Sequence, residues 1–407
     1  MEIFRDLDLD VKPIINAAGP VTMYCGATMP QEVVDAMSQV AHIQVRMDEL
    51  QAAASKFISR ITGAEAGYVT CGCAAALLAA TAACLTGYDV ARINRLPDTS
   101  NMPNEVLIAA CQRNAYDHVI RAAGAKIVSV GMASGPLSPG ECYHTLAEDY
   151  EVNITEQTVA IAYFYQGGGI PSLEEVVRVG KKYGKPVILD AADQVPPLEN
   201  LRKFISMGVD LVAVSGGKGI RGPQASGLLF GRRDLIAAAA LNYFTPGFGA
   251  GYVPYEEWAP PPSLVPKEML RGVPHYPIGR GMKVSKEAII GLLTALKIFC
   301  DEERNHREMK KLYGFLEPIV ERLKGIAGVH LDRSGHPGGF PIITVKIDEL
   351  KLKKNAYEVL RTLEDGEPPI YVFAKYAYAG KLIINSCSLD EEQAKIVADR
   401  LYAAITG

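Results

Sequence analysis

Between residues 66 and 231, short apolar runs alternate with helix-sized segments. The runs are nearly continuous in apolar residues, which is typical of strands buried on both faces of a sheet. This alternation predicts an α/β fold with a mostly parallel sheet, and such sheets bind ligands at the carboxyl ends of their strands. The predicted strands cover residues 66–70, 105–110, 126–130, 159–165, 186–190, 211–215 and 227–231.

The length of 407 residues favours two domains over one. We expect residues 46–280 to form a large domain and residues 281–407 a smaller α+β domain, which the N-terminal segment 1–45 joins. Residues 244–281 are rich in Pro and Gly, which predicts a linker or an active-site loop. The small domain has three short predicted strands, at residues 342–347, 370–373 and 382–385.

Composition and charge argue against several classes of protein. A net charge of −4, without a long block of Lys and Arg, is unlike a nucleic-acid-binding protein. The acidic N-terminus lacks the apolar core of a signal peptide, and no run approaches the roughly 20 apolar residues of a membrane span. The eight cysteines are scattered without the spacing of a zinc site, so we expect no bound metal and reduced thiols in a cytoplasmic protein.

A carboxylate and an amine follow two successive predicted strands. Asp190 ends Val-Ile-Leu-Asp (187–190), and Lys218 lies in Val-Ser-Gly-Gly-Lys-Gly (214–219), 28 residues later (218 − 190). Parallel strands bring their carboxyl ends to one edge of a sheet, so we expect the two side chains to lie close together. Pyridoxal 5′-phosphate needs such a pair: a lysine that forms the Schiff base, and a carboxylate that keeps the pyridine nitrogen protonated.

We therefore predict that Lys218 is the Schiff-base lysine and the general base at the substrate Cα. Asp190 is predicted to be the partner of the pyridine nitrogen. The alternatives are a solvated surface lysine and an aspartate that caps a helix.

A turn between the first strand of the alternation and its helix is the candidate site for the cofactor phosphate. In Thr70-Cys-Gly-Cys-Ala-Ala-Ala, a glycine precedes the start of a helix, where free N–H groups bind phosphate. We predict that Cys71, Gly72 and Cys73 contact the cofactor, with the cysteines as small packing residues and not as nucleophiles. Ser215, at the end of a neighbouring strand, is predicted to add a hydroxyl to the same phosphate.

Other polar side chains at strand ends are weaker candidates. Gln166 is predicted to reach the phenolic oxygen of the cofactor, although Gln-Gly-Gly-Gly is also typical of a plain turn. Arg113, Asn114 and His118 follow another strand, where a group that stacks on the ring or binds a substrate carboxylate is expected. Asn114 is assigned to the cofactor, and Arg113 and His118 to the substrate. A histidine on a helix surface is the alternative for His118.

Basic residues beside the lysine and before the small domain are candidates for anion binding. Arg221 follows Lys218 in the same loop, and Arg280 and Lys283 lie in Gly-Arg-Gly-Met-Lys-Val-Ser-Lys-Glu (279–287). We predict that Arg221 and Arg280 bind an anionic substrate. Arg280 and Lys283 could instead bind phosphate, across a dimer interface.

The segment Gly217-Lys-Gly-Ile-Arg-Gly matches the G-x-G-x-x-G pattern of dinucleotide-binding folds. Its context excludes that interpretation, because Pro223 follows and no helix is predicted to begin there. A P-loop is excluded as well, since Gly219 stands where Ser or Thr must follow the lysine.

These motifs resemble those of the selenocysteine-synthase-like branch of fold-type-I pyridoxal-phosphate enzymes. The resemblance implies the fold-type-I architecture and a homodimer or larger homo-oligomer, and it supports the roles of Lys218 and Asp190. The shared motifs are Ile15-Asn-Ala-Ala-Gly, Asp48-Glu-Leu-Gln-Ala-Ala-Ala, Thr62-Gly-Ala-Glu-Ala, the turn at 70–75, Ala123-Gly-Ala with Val130-Gly, Asp190, Ser215-Gly-Gly-Lys-Gly and Gly222-Pro-Gln-Ala-Ser-Gly-Leu-Leu-Phe-Gly.

The pattern also departs from the bacterial seryl-tRNA selenium transferases, which carry an additional N-terminal domain that holds tRNA. Here the Asn-Ala-Ala-Gly motif begins at residue 16, and Met23-Tyr-Cys-Gly-Ala-Thr stands where those enzymes have a His-Thr-Asn-Leu-Gly-Arg type of segment. The pattern is closer to the small-molecule members, of the D-glucosaminate-6-phosphate ammonia-lyase type. We therefore expect a small amino-acid substrate and neither a nucleic-acid nor a membrane partner.

That member type implies a lyase acting on a small hydroxylated or phosphorylated amino acid. Removal of the α-proton and β-elimination of water would give an enamine, which hydrolyses to a 2-oxo acid and ammonia. A racemase, an aldolase and an aminotransferase use the same cofactor, and the outcome depends on which bond at Cα stands perpendicular to the ring. A tRNA-dependent selenium transferase and a non-catalytic regulator are more distant alternatives.

Overall fold

The computed structural model describes residues 2–132, 145–165, 171–243, 260–333 and 339–407. The strands are β1 (Ile15–Ala17), β2 (Ala66–Thr70), β3 (Glu105–Ala109), β4 (Lys126–Val130), β5 (Thr158–Phe164), β6 (Val187–Asp190), β7 (Leu211–Ser215), β8 (Gly227–Gly231), β9 (Val329–Asp332), β10 (Ile342–Ile347), β11 (Ile370–Val372) and β12 (Lys381–Asn385).

The α-helices connect these strands and flank the sheets. They are α1 (Glu2–Asp6), α2 (Gln31–Ala41), α3 (Met47–Thr62), α4 (Cys73–Thr86), α5 (Val90–Arg95), α6 (His118–Ala122), α7 (Ala147–Asn153), α8 (Leu173–Tyr183), α9 (Asn200–Ser206), α10 (Arg233–Tyr243), α11 (Lys286–Phe299), α12 (Glu302–Gly314), α13 (Glu317–Leu323), α14 (Glu349–Leu352), α15 (Ala356–Glu364) and α16 (Glu391–Thr406). Within the described ranges, no helix is long and apolar enough to cross a membrane.

The chain divides into two compact units. The terminal unit comprises Met1–Thr28 and Ile298–Gly407, and the sheet unit comprises Met29–Lys297. The sequence predicted the limits at 45/46 and 280/281. The observed limits differ from the predicted ones because α2 and α11 pack within the sheet unit: a Cβ on Gly291 of α11 would lie 2.8 Å from Met37 Cγ of α2.

The sheet unit is built around a sheet with the strand order β2-β8-β7-β6-β5-β3-β4. β8 runs antiparallel to its neighbours β2 and β7, and the other paired strands of this sheet run parallel. A parallel return from β7 to β8 would need a long crossover, usually a helix, which the loop 216–226 does not contain. The predicted α/β fold with a mostly parallel sheet is confirmed.

Helix α4 lies in the middle of the sheet unit, against β6, β7, β8 and α10. Its sequence, Cys-Ala-Ala-Ala-Leu-Leu-Ala-Ala-Thr-Ala-Ala-Cys-Leu-Thr, has no polar face, and nearly all of its side chains are buried. A helix that is apolar on all sides is stable only when it is covered on all sides. The small alanine side chains let α4 pack closely on the sheet, which places its N-terminus at the carboxyl edge of the strands.

Local sequence signals set the limits of several helices. Ser172 accepts a hydrogen bond from Glu175 N–H at the start of α8, and the Glu175 side chain accepts one from Ser172 N–H in return. Gly63 ends α3 at φ +72° and Gly184 ends α8 at φ +63°. This left-handed conformation strongly favours glycine, so the two residues act as helix stops.

The terminal unit has its own core. β10 pairs antiparallel with β9 and β12, and β1 pairs in parallel with β11. The N-terminal residues thus add a strand to the C-terminal part of the chain. Buried apolar residues of α13, α15 and α16 pack with those of the strands, including Ile319, Leu363 and Leu401.

Candidate active site

The carboxyl edge of the large sheet brings the two principal candidate residues into one region. β6 ends at Asp190 and β7 ends at Ser215, and these strands are adjacent and parallel. Lys218 follows Ser215 in the loop that leads to β8, and its charge acts on the Asp190 carboxyl. The sheet therefore has the arrangement of a carboxylate and an amine that the strand order predicted.

Backbone hydrogen bonds hold the loop that carries Lys218. Gly216 N–H donates to Ser226 O (2.9 Å), and Gly222 N–H donates to Gly216 O (2.8 Å). Arg221 N–H donates to Lys218 O (3.0 Å) from a left-handed conformation (φ +60°). No helix begins after Gly222 in this described segment, in agreement with the rejection of a dinucleotide-binding motif.

A second carboxylate lies beside the lysine. Asp193 Oδ1 is 4.0 Å from Lys218 Nζ, and the side chains are 48% and 27% exposed, respectively. Sequence reasoning missed Asp193, although the segment Asp190-Ala-Ala-Asp193 carried a signal: the second aspartate follows the strand end by the length of one turn. The ammonium of Lys218 thus has a carboxylate partner that is partly open to solvent.

Asp190 lies in a different environment from Asp193. Burial raises the pKa of the Asp190 carboxyl, and the hydrogen bond from Ala192 N–H and the nearby Lys218 charge offset this only in part. Its Oδ1 accepts hydrogen bonds from Ala192 N–H (2.9 Å) and from Cys73 Sγ (3.6 Å). Among the described residues Oδ2 has no such donor, and it therefore has room for a further N–H group.

The turn before α4 has the backbone geometry of an anion site. Gly72 adopts φ +156° and caps the helix, and its carbonyl accepts hydrogen bonds from Thr70 Oγ1 (2.8 Å) and Ala76 N–H (3.0 Å). Both contacts use the carbonyl oxygen. The first N–H groups of the 14-residue helix α4, from Cys73 onward, remain available for a ligand at the positive end of the helix dipole.

A glycine on β8 brings this turn close to Ser215. Gly227 pairs with Ser215 across the antiparallel strands. A Cβ on Gly227 would collide with the Gly72 carbonyl carbon and would lie 2.7 Å from Cys73 N. Only a residue without a side chain permits this approach, so Gly227 positions the turn beside the half-buried Ser215.

Tyr243 supports the same turn from the other side. The buried hydroxyl accepts a hydrogen bond from Cys71 N–H (3.1 Å) and donates one to the carbonyl of Met282. Burial raises the pKa of Tyr243, so the hydroxyl keeps its proton and remains a donor. Sequence reasoning missed this residue, because the contact joins positions 172 residues apart in the chain and Tyr243 belongs to no recognised motif.

Two of the predicted anion-binding residues line a cavity near Tyr243. The cavity has a volume of about 390 Å³ and contains both Arg280 and Lys283 in its wall. Gln51, Tyr68 and Tyr243 also line it, and Tyr243 connects this cavity to the turn through its hydrogen bond from Cys71 N–H. Arg221 belongs to the loop of Lys218 and is not among the residues of this wall.

Arg113, Asn114 and His118 have local contacts. Arg113 Nε donates to the buried carboxylate of Asp117, and Asn114 Oδ1 accepts a hydrogen bond from Tyr116 N–H (2.8 Å). His118 is the first residue of α6. The first two contacts stabilise the turn after β3, and the assignment of all three residues to cofactor or substrate stays a prediction. Gln166 lies outside the described residues.

The residues at this edge fit pyridoxal phosphate. Asp190 offers a carboxylate oxygen without a donor among the described residues, Lys218 offers a primary amine, and the turn before α4 offers N–H groups. These are the groups that the ring nitrogen, the aldehyde and the phosphate require. Within the described part of the chain, no cluster of three or more His, Cys, Asp and Glu side chains could hold a metal ion.

Comparison with known families agrees with this geometry. The family profile of L-seryl-tRNA selenium transferase matches residues 15–245, more than half of the chain. The chain belongs to this family. The resemblance to the selenocysteine-synthase-like branch is thereby confirmed.

Two relatives match almost the whole chain. D-glucosaminate-6-phosphate ammonia lyase of Salmonella typhimurium is 28% identical over 405 residues, which cover 97% of this chain and 95% of that protein. The 5′-C-glycyluridine monooxygenase-decarboxylase of a Streptomyces species is 28% identical over 401 residues, which cover 97% of this chain and 90% of that protein.

A solved structure of D-glucosaminate-6-phosphate ammonia-lyase is similar to this fold, with a TM-score of 0.77 and 27% sequence identity. The match covers 99% of this chain and 98% of that chain. The family and its relatives depend on pyridoxal phosphate, and the predictions of an enzyme and of this cofactor are confirmed.

Proposed function

We propose that the protein is a lyase that converts a small hydroxylated or phosphorylated amino acid into a 2-oxo acid and ammonia. The observation that carries the proposal is the pair Asp190 and Lys218 after adjacent parallel strands, beside the N-terminus of α4. Similarity over nearly the full length to an ammonia lyase supports the reaction class.

Three groups of the chain would hold the cofactor. Lys218 would bind it covalently through its amine, and Asp190 Oδ2 would accept the hydrogen bond of the ring N–H. The turn at Cys71, Gly72 and Cys73 would bind the phosphate, with the Ser215 hydroxyl beside it. When bound, pyridoxal phosphate supplies an electron sink for the electron pair left at Cα after a bond breaks.

Lys218 would also move the proton. With the substrate in place, the amine of Lys218 would remove the proton from Cα. Asp193, with Oδ1 4.0 Å from Nζ, would then attract the resulting ammonium and hold it near the site of reaction. The proton stays on the lysine until a later step consumes it.

The β-hydroxyl group would take up a proton and leave as water. The remaining enamine adds one water molecule on hydrolysis and releases ammonia. The water lost in the first step balances the water used in the second. One amino acid therefore gives one 2-oxo acid and one ammonia, without an oxidant or an amino acceptor.

The cavity lined by Arg280 and Lys283 would bind an anionic part of the substrate. Its volume of about 390 Å³ lies within the lower range of small-molecule pockets, and both side chains can donate hydrogen bonds to phosphate or carboxylate oxygens. Arg221 and Arg113 stay secondary candidates for substrate binding, as does His118.

We further propose a homodimer or larger homo-oligomer that acts in the cytoplasm on a small molecule, without a nucleic-acid partner. The family resemblance supports the oligomer, and the net charge of −4 argues against nucleic acid. Light scattering after size-exclusion chromatography tests the oligomer, and a gel shift with tRNA at physiological salt tests the second point. Tight, salt-resistant binding of tRNA would contradict the proposal.

The first experiment is reduction of the purified holoenzyme with borohydride, followed by peptide mass analysis. We expect a phosphopyridoxyl group on Lys218. The Lys218→Ala variant, reconstituted and reduced in the same way, is the control and should carry no label. A label on another lysine would overturn the assignment of the site.

The second experiment identifies the reaction with a panel of D- and L-hydroxyamino acids and their phosphorylated forms. Release of ammonia and a 2-oxo acid without an amino acceptor supports the lyase. A change of chirality alone would indicate a racemase, and an aldehyde product an aldolase. Because an equally similar relative is a monooxygenase-decarboxylase, oxygen uptake and carbon dioxide are measured in parallel.

A further inference from the structure

The thiol of Cys73 contacts the carboxylate that is proposed to bind the cofactor ring. Cys73 is the first residue of α4 and is only 9% exposed. Its Sγ lies 3.6 Å from Asp190 Oδ1, at a separation of 117 positions in the chain. The contact thus joins the helix that follows β2 to the end of β6.

The thiol can act as a donor at this position. Burial, with the charge of Asp190 as a second cause, raises the pKa of Cys73 well above its ordinary value. A buried, protonated thiol is a weak S–H donor and a poor nucleophile. The available chemistry of Cys73 is therefore a hydrogen bond to the carboxylate.

Two donors converge on the same oxygen of Asp190. Ala192 N–H (2.9 Å) and the Cys73 thiol (3.6 Å) both donate to Oδ1. A carboxylate that is held at one oxygen cannot rotate about Cβ–Cγ without losing both bonds. The other oxygen, Oδ2, then keeps a constant direction.

We propose that Cys73 is a positioning residue, which orients Asp190 so that Oδ2 faces the ring nitrogen of the cofactor. The proposal rests on the proposed function, because it concerns how the same site recognises the pyridine ring. It gives Cys73 a role that differs from the one predicted from sequence, in which the residue only packs beside the cofactor phosphate.

The type of side chain at position 73 makes the proposal testable. Serine keeps a donor on a shorter side chain, alanine removes the donor, and valine removes it while filling a similar volume. The matched control is Cys84→Ala, which removes another thiol from the same helix, 11 residues further along (84 − 73) and away from Asp190.

The experiment measures the dissociation constant of pyridoxal phosphate for each variant of the full chain, reconstituted from the apoenzyme. We expect Cys73→Ala and Cys73→Val to bind about three- to tenfold more weakly, as for the loss of one weak hydrogen bond to a charged group. Cys73→Ser should recover at least half of the loss on a logarithmic scale, and Cys84→Ala should match the unsubstituted protein.

A cofactor analogue distinguishes positioning from general packing. 1-Deazapyridoxal phosphate has carbon in place of the ring nitrogen, so it offers no N–H to Asp190. With this analogue, Cys73→Ala should bind as well as the unsubstituted protein. An equal loss with both cofactors, or a serine variant that behaves like alanine, would overturn the role of Cys73.

The same samples separate this inference from the proposed function. Borohydride labelling of Lys218 in the unsubstituted protein tests the site itself. If Lys218 is labelled and Cys73→Ala binds both cofactors normally, only the inference about Cys73 fails. If Lys218 is not labelled, the proposed site fails.

Discussion

Substitution of Tyr243 by phenylalanine removes one hydroxyl from beneath the proposed phosphate turn. The hydroxyl accepts a hydrogen bond from Cys71 N–H and donates one to Met282 O. A buried polar group that loses its partner costs about 1–3 kcal/mol. Cys71 and Met282 are only half-buried, so each loss should lie at the lower end of this range and the total near 2 kcal/mol.

The matched control is Tyr68→Phe. The rings of Tyr68 and Tyr243 meet edge to face, with centroids 5.5 Å apart, and both are buried. Among the described residues the Tyr68 hydroxyl has no hydrogen-bond partner, and Tyr68 lines the cavity of Arg280 and Lys283, where water can solvate the hydroxyl. Its removal should therefore change stability by less than about 0.5 kcal/mol. The two variants therefore remove the same atom from neighbouring rings in different hydrogen-bonding environments.

The assay is urea unfolding of the apoenzyme, followed by circular dichroism, with cofactor affinity measured separately. We expect Tyr243→Phe to lose about 2 kcal/mol relative to Tyr68→Phe, and to bind pyridoxal phosphate about tenfold more weakly because the turn at Cys71 loses its support. Equal stability and equal affinity of the two variants would refute the view that Tyr243 holds the turn.

Three further predictions follow from the same site. Gly227→Ala should reduce cofactor affinity at least about tenfold, because its Cβ would displace the backbone of Gly72. The control is Gly314→Ala, which has open space at its Cβ. Equal cofactor affinity of the two variants would contradict the packing argument. Burial raises the pKa of Asp190 above 3.8, so this group in the apoenzyme favours folding below pH 3.8 and loses that contribution as pH rises through its raised value. Apo Asp190→Asn should therefore be more stable than the unsubstituted apoenzyme at pH 7, with a gap that shrinks as the pH falls in denaturant titrations, yet it should bind the cofactor more weakly. Asp193→Asn removes an attraction of about 1 kcal/mol to Lys218 Nζ, which lies 4.0 Å away. We therefore expect kcat to fall about fivefold, with an unchanged cofactor dissociation constant. An unchanged kcat would exclude a role of Asp193 in holding the lysine ammonium.

The elements that bear Asp190 and Lys218 could be predicted from sequence. Near-continuous apolar runs bounded by turn residues gave strands at 66–70, 126–130, 211–215 and 227–231 with the limits that the structure shows. The rule that parallel strands end at one edge then brought the two side chains together. Both steps use information that is local in the chain, or is common to all parallel sheets.

Other elements had weak local signals. α10 was not predicted, because its run of four alanines, 237–240, has no polar face and gives no helical period. β1 is three residues long, and it exists because β11 provides its partner. β8 runs antiparallel to β7 because the loop 216–226 contains no crossover helix. The pattern of apolar residues in a strand carries no information about the direction in which the strand runs.

The supporting contacts of the site could not be predicted for a different reason. The bond from Cys71 to Tyr243 and the contact of Cys73 with Asp190 join positions far apart in sequence. Each depends on how α4 packs between the sheet and α10, and one sequence without its relatives does not show which distant residues meet. Asp193 differs, since its spacing from Asp190 was visible in the sequence.

The two aspartates of Asp190-Ala-Ala-Asp193 show how one strand end provides two different carboxylates. Asp190 is the last residue of β6, so the sheet and α4 partly bury it, whereas Asp193 lies beyond the strand and is half exposed. Partial burial of the Asp190 carboxylate is unfavourable in the apoenzyme, because the nearby Lys218 charge and the hydrogen bond from Ala192 N–H offset it only in part. A protonated ring nitrogen would reduce that cost on binding. The free energy released in this way stabilises the fold and the complex together, because a ligand that binds only the folded chain shifts the unfolding equilibrium. The unfavourable burial of Asp190 thus favours a cofactor whose ring nitrogen carries a proton.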